Sequence, residues 1–118
     1  MTLASYANET KIREAPFFSE IDDFPLMYGL KEVLGASLIF DSLGGRIIEA
    51  YAQGHVSIDQ VSNFYKKSLP QFGWQSIGKN KYLREKEVLE ISIVPSEIAS
   101  VTNIFKFSIS PKNVGETP

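Results

Sequence analysis

V-S-I-D-Q-V-S-N-F-Y-K-K-S-L-P-Q-F-G-W, from Val56 to Trp74, decides the fold, because it carries the complete pattern of an amphipathic helix. Ser57 can cap the helix by accepting a hydrogen bond from a backbone N–H, and Gln60 can return a bond to the cap. Apolar side chains then recur at intervals of three and four, at Ile58, Val61, Tyr65 and Leu69. One face of the helix is therefore predicted to be buried.

The same stretch also predicts how the helix ends. Pro70 cannot continue a regular helix, since it lacks an N–H donor and clashes with the preceding turn. We expect the helix to end near Ser68 or Leu69, with Gly73 in the left-handed conformation that closes helices. Trp74 would then fold back onto the apolar stripe and begin the next strand.

Two β-like runs, 36–41 and 46–52, precede the helix. Gly44-Gly45 predicts a two-residue turn between them with positive φ at both positions, which makes a hairpin. One face of the hairpin then carries Ile39, Asp41, Ile48, Ala50 and Ala52. The second face carries Leu38, Phe40, Ile47, Glu49 and Tyr51. The small alanines allow a helix to approach closely, which assigns the first face to the helix.

Four further β-like runs follow the helix, at 74–77, 81–84, 87–94 and 101–110. The resulting order, ββαββββ with short connections, predicts an α+β fold in which one helix packs on one face of an antiparallel sheet. We assign residues 16–110 to a single domain, residues 1–15 to a flexible arm and residues 111–118 to a flexible tail.

An apolar segment between Phe17 and Leu30 precedes these elements and has neither helical nor strand periodicity. Pro25 and Gly29 oppose a long regular element, so we interpret it as an extended segment that packs over part of the domain. The second hairpin face, with Leu38 and Phe40, also needs a cover. Either this segment or a partner would supply it.

Composition excludes several classes of function. The 118 residues are 43% hydrophobic and carry a formal net charge of −2, which gives no electrostatic basis for binding nucleic acid. The chain has no cysteine, which excludes thiol nucleophiles and cysteine-ligated zinc. No apolar run approaches the roughly 20 residues that span a bilayer. We predict a chain that does not span the membrane and that uses no cofactor and no metal.

Three polar residues are candidate ligand contacts: Arg46, Glu49 and His55. If they converged with Tyr51 in a cleft between the sheet and the N-terminal segment, they would suit a small-molecule-binding or enzymatic domain. Each also has a structural explanation. His55 is the single histidine and has no evident co-ligands, and charges within strands often protect a sheet edge.

The N-terminus and three internal stretches bear on location. Ser5-Tyr6-Ala7 has the small-x-small pattern of a signal-peptidase site, with a disordered leader as the alternative. The sequences D-D-F-P-L-M-Y-G-L (22–30), G-G-R-I-I-E-A (44–50) and F-Y-K-K-S-L-P-Q-F-G-W (64–74) resemble a group of small exported bacterial proteins with no established activity. Similar proteins tend to have Pro-Gly where this chain has Tyr28-Gly29. The resemblance implies a periplasmic location, and the cytoplasm is the alternative.

The leading hypothesis is a non-enzymatic protein-interaction or assembly module of the bacterial cell envelope. Its partner would be another protein or a second copy of the chain, as in a homo-oligomer. The predicted surface consists of nine apolar side chains: Phe17, Phe18, Phe24, Met27, Tyr28, Leu38, Phe40, Ile47 and Tyr51. The alternative is the small-molecule-binding or enzymatic cleft described above.

Overall fold

The computed structural model describes residues 11–95 and 102–112, in which one α-helix lies on one side of an antiparallel sheet. The strands are β1 (Lys11–Arg13), β2 (Lys31–Leu34), β3 (Leu38–Ser42), β4 (Gly45–Gly54), β5 (Gln75–Gly78), β6 (Lys81–Arg84), β7 (Glu87–Ile93) and β8 (Asn103–Pro111). The helix, α1, spans Ile58–Ser68. The prediction of an α+β fold with one helix on an antiparallel sheet is confirmed.

The strands lie side by side in the order β1-β2-β4-β8-β7-β6-β5, and β3 pairs with β4. β2 pairs with β4 near Gln53, and β3 pairs with the beginning of β4, so both lie along the same side of that strand. The sequence pattern missed β1 and β2. β1 lies where we expected a flexible arm, and β8 continues to Pro111, where we expected a flexible tail.

The helix begins and ends as its sequence predicts. Ser57 Oγ accepts from the Gln60 N–H at 3.1 Å, and Gln60 Oε1 accepts from the Ser57 N–H at 2.8 Å. After α1 the chain tightens into a 3-10 turn, Leu69–Phe72, because Pro70 cannot extend the helix. Gly73 then takes the left-handed conformation, with φ of 90°. This exit places Trp74 in the core.

The hairpin turn lies one residue earlier than predicted. Leu43 and Gly44 form the turn, Ser42 pairs with Gly45, and only Gly45 of the two glycines has a positive φ. The predicted faces still hold, since side chains alternate with a period of two whichever two residues form the turn. We call the face with Leu38 and Phe40 the open face, and the opposite one the helix-facing side.

The core lies between the helix-facing side and a cover made of α1 and the Phe17–Leu30 segment. The sheet contributes Ile48, Ala50, Ala52, Leu89, Ile91, Phe105, Phe107 and Ile109. Phe107 is at the centre, with its ring centroid 4.9 Å from that of Phe18, 5.2 Å from Tyr65 and 5.8 Å from Phe24. The apolar segment therefore packs beside the helix and not on the open face.

A tyrosine of the helix, Tyr65, forms hydrogen bonds with the backbone of this segment. The Tyr65 hydroxyl donates to the Pro25 carbonyl at 2.8 Å and accepts from the Met27 N–H at 3.2 Å. Burial raises the pKa of Tyr65, an effect that the hydrogen bond from Met27 partly offsets. The hydroxyl thus satisfies two backbone groups of a segment that has no regular structure to pair them.

A buried carboxylate in β2, that of Glu32, also forms hydrogen bonds with the backbone of this segment. Glu32 is 1% exposed and accepts from the N–H groups of Ser19 and Glu20 at 2.9 and 3.3 Å. The Ser19 hydroxyl and the Arg13 guanidinium add bonds of 3.1 Å each. Because Arg13 belongs to β1, this one side chain joins β1, β2 and the apolar segment. A buried charge is stable here because every contact donates to it.

Candidate interaction surface

β3 lies beyond the cover that buries the neighbouring strand β4 on the helix-facing side. All five of its residues are exposed, whereas Ile48, the cross-strand partner of Ile39, is 2% exposed. Ile39 is 51% exposed although it lies on the helix-facing side. The expectation that the helix covers Ile39 is therefore wrong, because the cover ends over β4. β3 exposes apolar side chains on both of its faces.

The open face is apolar at the hairpin and polar at its centre. Leu38 and Phe40 remain 47% and 46% exposed, and Ile47 and Tyr51 beside them are half-buried. The next strand, β8, presents polar side chains to the same face: Lys106, Ser108 and Ser110. The predicted residues Leu38, Phe40, Ile47 and Tyr51 thus form one patch, which we call the hairpin patch.

The predicted residues of the N-terminal segment divide into two groups. Phe18 and Phe24 lie in the core, so they belong to no surface. Phe17 is 43% exposed, Met27 is partly buried and Tyr28 is fully exposed; Met27 and Tyr28 line a groove of about 470 Å³.

This groove lies at the other end of β4 from the hairpin. Gly29, which lines it, approaches Gly54 so closely that a Cβ on Gly54 would collide with the Gly29 carbonyl oxygen. The turn of the hairpin adjoins Gly45, and at roughly 3.3 Å per residue the ten residues of β4 separate the two ends by about 30 Å. The structure therefore does not bring the two predicted apolar surfaces together.

The three candidate polar contacts do not converge. The Arg46 guanidinium makes two bonds, of 2.7 and 3.2 Å, to the Glu87 carboxylate on the helix-facing side. Those bonds raise the pKa of Arg46, although burial works in the opposite direction. Glu49 lies on the open face with Tyr51, and His55 is exposed beyond the far end of β4. No shared cleft links the three within the residues that the structure describes.

The outer backbone edge of β3 is unpaired among the described residues. In an antiparallel pair, hydrogen-bonded and non-hydrogen-bonded residue pairs alternate. A two-residue turn makes Ser42 and Gly45 the closing hydrogen-bonded pair, so Phe40 and Leu38 also bond to β4. The N–H and C=O groups of Ile39 and Asp41 consequently point away from β4.

The other edge strands carry the protection that β3 lacks. β1 is three residues long and includes Lys11 and Arg13, and β5 is short, with its register interrupted between Ser76 and Gly78. Charges, shortness and irregularity all discourage pairing with another chain. β3 is regular, with no basic residue and no proline, and Asp41 is its one charge.

Sequence reasoning missed two members of this surface, Ile39 and Leu43. Leu43, in the turn, is fully exposed. The signal was present in Leu38-Ile39-Phe40, where three consecutive apolar residues leave neither face of the strand polar. A half-buried strand alternates apolar and polar side chains, so this run indicates a strand that either lies inside a core or binds a partner.

No protein-family model, curated protein or solved structure matches this chain. Within residues 11–95 and 102–112, no helix is long and apolar enough to cross a membrane. The Ser5–Ala7 pattern lies outside the described residues.

Proposed function

We propose that this protein is a non-enzymatic interaction or assembly module that binds another protein chain through the β3–β4 hairpin. The observation that carries the proposal is the exposure of Leu38, Ile39 and Phe40 on an edge strand whose outer side pairs with no strand of the described residues. Such an edge offers a partner both apolar side chains and free backbone hydrogen-bonding groups. The separation of Arg46, Glu49 and His55 leaves the alternative, a ligand-binding or catalytic cleft, without support.

The apolar contacts set the strength expected of this binding. Fully burying a leucine, isoleucine or phenylalanine side chain contributes about 1.5–3 kcal/mol, and about half of each remains to be buried here. Leu38, Ile39 and Phe40 together then contribute roughly 3 kcal/mol, and Leu43 adds about 2 kcal/mol. Association also costs translational and rotational freedom. We therefore expect a reversible contact that becomes strong where several copies or several contacts act together.

We place this module in the bacterial cell envelope. The support is the resemblance of residues 22–30, 44–50 and 64–74 to exported bacterial proteins, together with the small-x-small pattern at Ser5–Ala7. Fractionation of cells of the native source tests the location. Recovery with periplasmic markers supports it, and recovery only with cytosolic markers contradicts it.

A site-specific photocrosslink tests the interaction. A benzoylphenylalanine at position 40 should give a discrete covalent adduct with another protein chain in cells of the native source, because Phe40 lies in the hairpin patch. Position 77 is a matched control, since Ile77 is 39% exposed but lies on the protected edge strand β5. No adduct at position 40, or equal adducts at both positions, would contradict the proposed function.

A further inference from the structure

We infer that the partner is a second copy of this chain, which adds its own β3 antiparallel to β3 around a two-fold axis at Ile39. This inference rests on the proposed function and identifies the partner of the same hairpin. The two sheets would join edge to edge, with the open faces of both copies on one side. Three properties of β3 support this partner: its side chains, the backbone groups that point away from β4, and its charge.

The side chains of β3 are complementary to themselves in this register. A two-fold axis perpendicular to the sheet pairs Ile39 with Ile39 of the second copy on the helix-facing side. It also pairs Leu38 with the second copy's Phe40 on the open face, twice by symmetry. The three exposed apolar residues of each strand would therefore meet apolar partners, and cross-strand pairs of this type stabilise sheets.

The backbone supports the same register. Ile39 is one of the residues whose N–H and C=O point outward from β4, so two copies can exchange both bonds between their Ile39 residues. The next outward-pointing residue, Asp41, would lie opposite Ser37 of the second copy.

Charge disfavours the neighbouring register. A two-fold axis at Phe40 would place Asp41 opposite the second copy's Ile39, and so would bury a carboxylate against an aliphatic side chain. The axis at Ile39 avoids this and keeps the two Asp41 carboxylates apart.

Cysteine crosslinking tests both the partner and the register in purified protein. The natural chain has no cysteine, so Ile39→Cys introduces the only thiol. Hydrogen-bonded residues of antiparallel strands have Cα atoms about 5.5 Å apart, within the range of about 4.4–6.8 Å that a disulfide spans. We expect mild oxidation to convert Ile39→Cys largely to a disulfide-linked dimer.

Asp41→Cys is the matched control. Its two copies would be displaced by four residues along the strands, or about 13 Å, too far for a disulfide. It should stay monomeric in the same oxidation. Crosslinking of Asp41→Cys that equals or exceeds that of Ile39→Cys would overturn the proposed register.

Charge exchange tests the symmetry without any covalent bond. Ile39→Lys alone and Ile39→Glu alone each place like charges directly opposite across the axis. Each should dimerise at least about tenfold more weakly than the natural chain in sedimentation experiments at increasing concentration. An equimolar mixture should form heterodimers, since the charges are then opposite. Ile77→Lys, on the protected β5 edge, should leave the dimer unchanged.

The outcomes separate this inference from the proposed function. A natural chain that stays monomeric at every concentration, with no disulfide dimer of Ile39→Cys, overturns the second copy as the partner. If position 40 still gives a photoadduct with a different protein, the interaction module stands and the edge belongs to that protein. If position 40 gives no adduct of any kind, both proposals fall.

Discussion

Phe107 and Phe40 lie in the same sheet but on opposite faces, and their surroundings could hardly differ more. Phe107 is fully buried among three aromatic rings, and Phe40 is 46% exposed, with no ring of the described residues against it. The difference arises because α1 and the Phe17–Leu30 segment both pack on the helix-facing side. α1 has 11 residues, which at roughly 1.5 Å each reach about 16 Å, only half the length of β4. The Phe17–Leu30 segment is needed to finish the helix-facing side.

This comparison teaches that the two faces have different roles. The helix-facing side is completed by the chain itself, and two of its buried polar side chains, Glu32 and Tyr65, are hydrogen-bonded, whereas Trp74 Nε1 has no hydrogen-bond partner among the described residues. The hairpin is left exposed, and the outer backbone edge of β3 is unpaired within the part of the chain that the structure describes. Changes on the first side should alter folding stability and leave association intact. Changes at the hairpin should weaken association and leave folding stability nearly unchanged.

The largest expected effect follows from truncating Phe107. Phe107→Ala removes the ring at the centre of the core and should lower the free energy of unfolding by about 3–5 kcal/mol. Phe40→Ala should lower it by less than about 1 kcal/mol, because half of that ring is in water already. Urea denaturation measures both, at a protein concentration where the chain is monomeric. Similar losses for the two variants would contradict the distinction between the faces.

A second large effect is expected at Glu32. Glu32→Ala removes the buried carboxylate that accepts from the N–H groups of Ser19 and Glu20, and because hydrogen bonds to a charged group contribute about 1.5–3 kcal/mol, we expect a loss of about 3 kcal/mol. Glu32→Gln keeps an acceptor oxygen and should lose less. Glu90→Ala, an exposed carboxylate on the open face, should change stability by no more than about 0.5 kcal/mol. Equal effects of Glu32→Ala and Glu90→Ala would show that Glu32 does not hold the Phe17–Leu30 segment in place.

Glu32 also marks the limit of what the sequence could predict. The helix from Ser57 to Gly73, the faces of the hairpin and the antiparallel sheet all follow from local patterns: a cap, a period of 3.6 or 2, and a turn. The position of the Phe17–Leu30 segment does not. It depends on Glu32 and Tyr65, whose partners are 12 to 40 residues away and include four backbone groups in or beside the segment, which carry no sequence signal.

The candidate site was predicted only in part, because part of it depends on local patterns and part on long-range packing. Side chains alternate between the two faces along a strand, and the hairpin turn sets which residues of the two strands lie opposite each other. These two rules placed Leu38, Phe40, Ile47 and Tyr51 on one face. They could not show where the cover ends, and so they assigned Ile39 to the helix. The separation of Arg46 from His55 likewise follows from the length of β4, which the sequence pattern placed between 46 and 52, short of the observed end at Gly54.

A smaller effect, with a pH signature, is expected at Tyr65. Tyr65→Phe leaves the Pro25 carbonyl and the Met27 N–H without their partner, and should cost about 1–2 kcal/mol. Burial raises the pKa of Tyr65, so the unfolded chain loses this proton above pH about 10 while the folded chain retains it. The buried Tyr65 hydroxyl therefore makes its full contribution to the free energy of unfolding below that pH. Above it, the free energy of unfolding falls by about 1.4 kcal/mol per pH unit as the pH rises toward the pKa of Tyr65 in the folded chain.

The comparison of the two variants isolates this titration. Unfolding of the natural chain and of Tyr65→Phe should be measured between neutral pH and strongly alkaline pH. The difference between them should be constant up to pH about 10 and should shrink above it. A difference that is independent of pH would mean that the Tyr65 hydroxyl is not buried in the folded state. The dimer should be unaffected by Tyr65→Phe at neutral pH, since Tyr65 lies on the helix-facing side.

The smallest expected effect is at the ion pair of Arg46 and Glu87. Both side chains are partly exposed, so the pair is screened by water and should contribute about 0.5–1 kcal/mol, toward the upper end for exposed pairs because it is bidentate. A double-mutant cycle of Arg46→Met and Glu87→Gln measures the coupling, which should decrease in high salt. The pair joins β4 to β7 on the helix-facing side, directly behind the hairpin. Its loss should therefore leave crosslinking through Ile39→Cys unchanged, and a matching loss of crosslinking would mean that the hairpin edge depends on the other face for its shape.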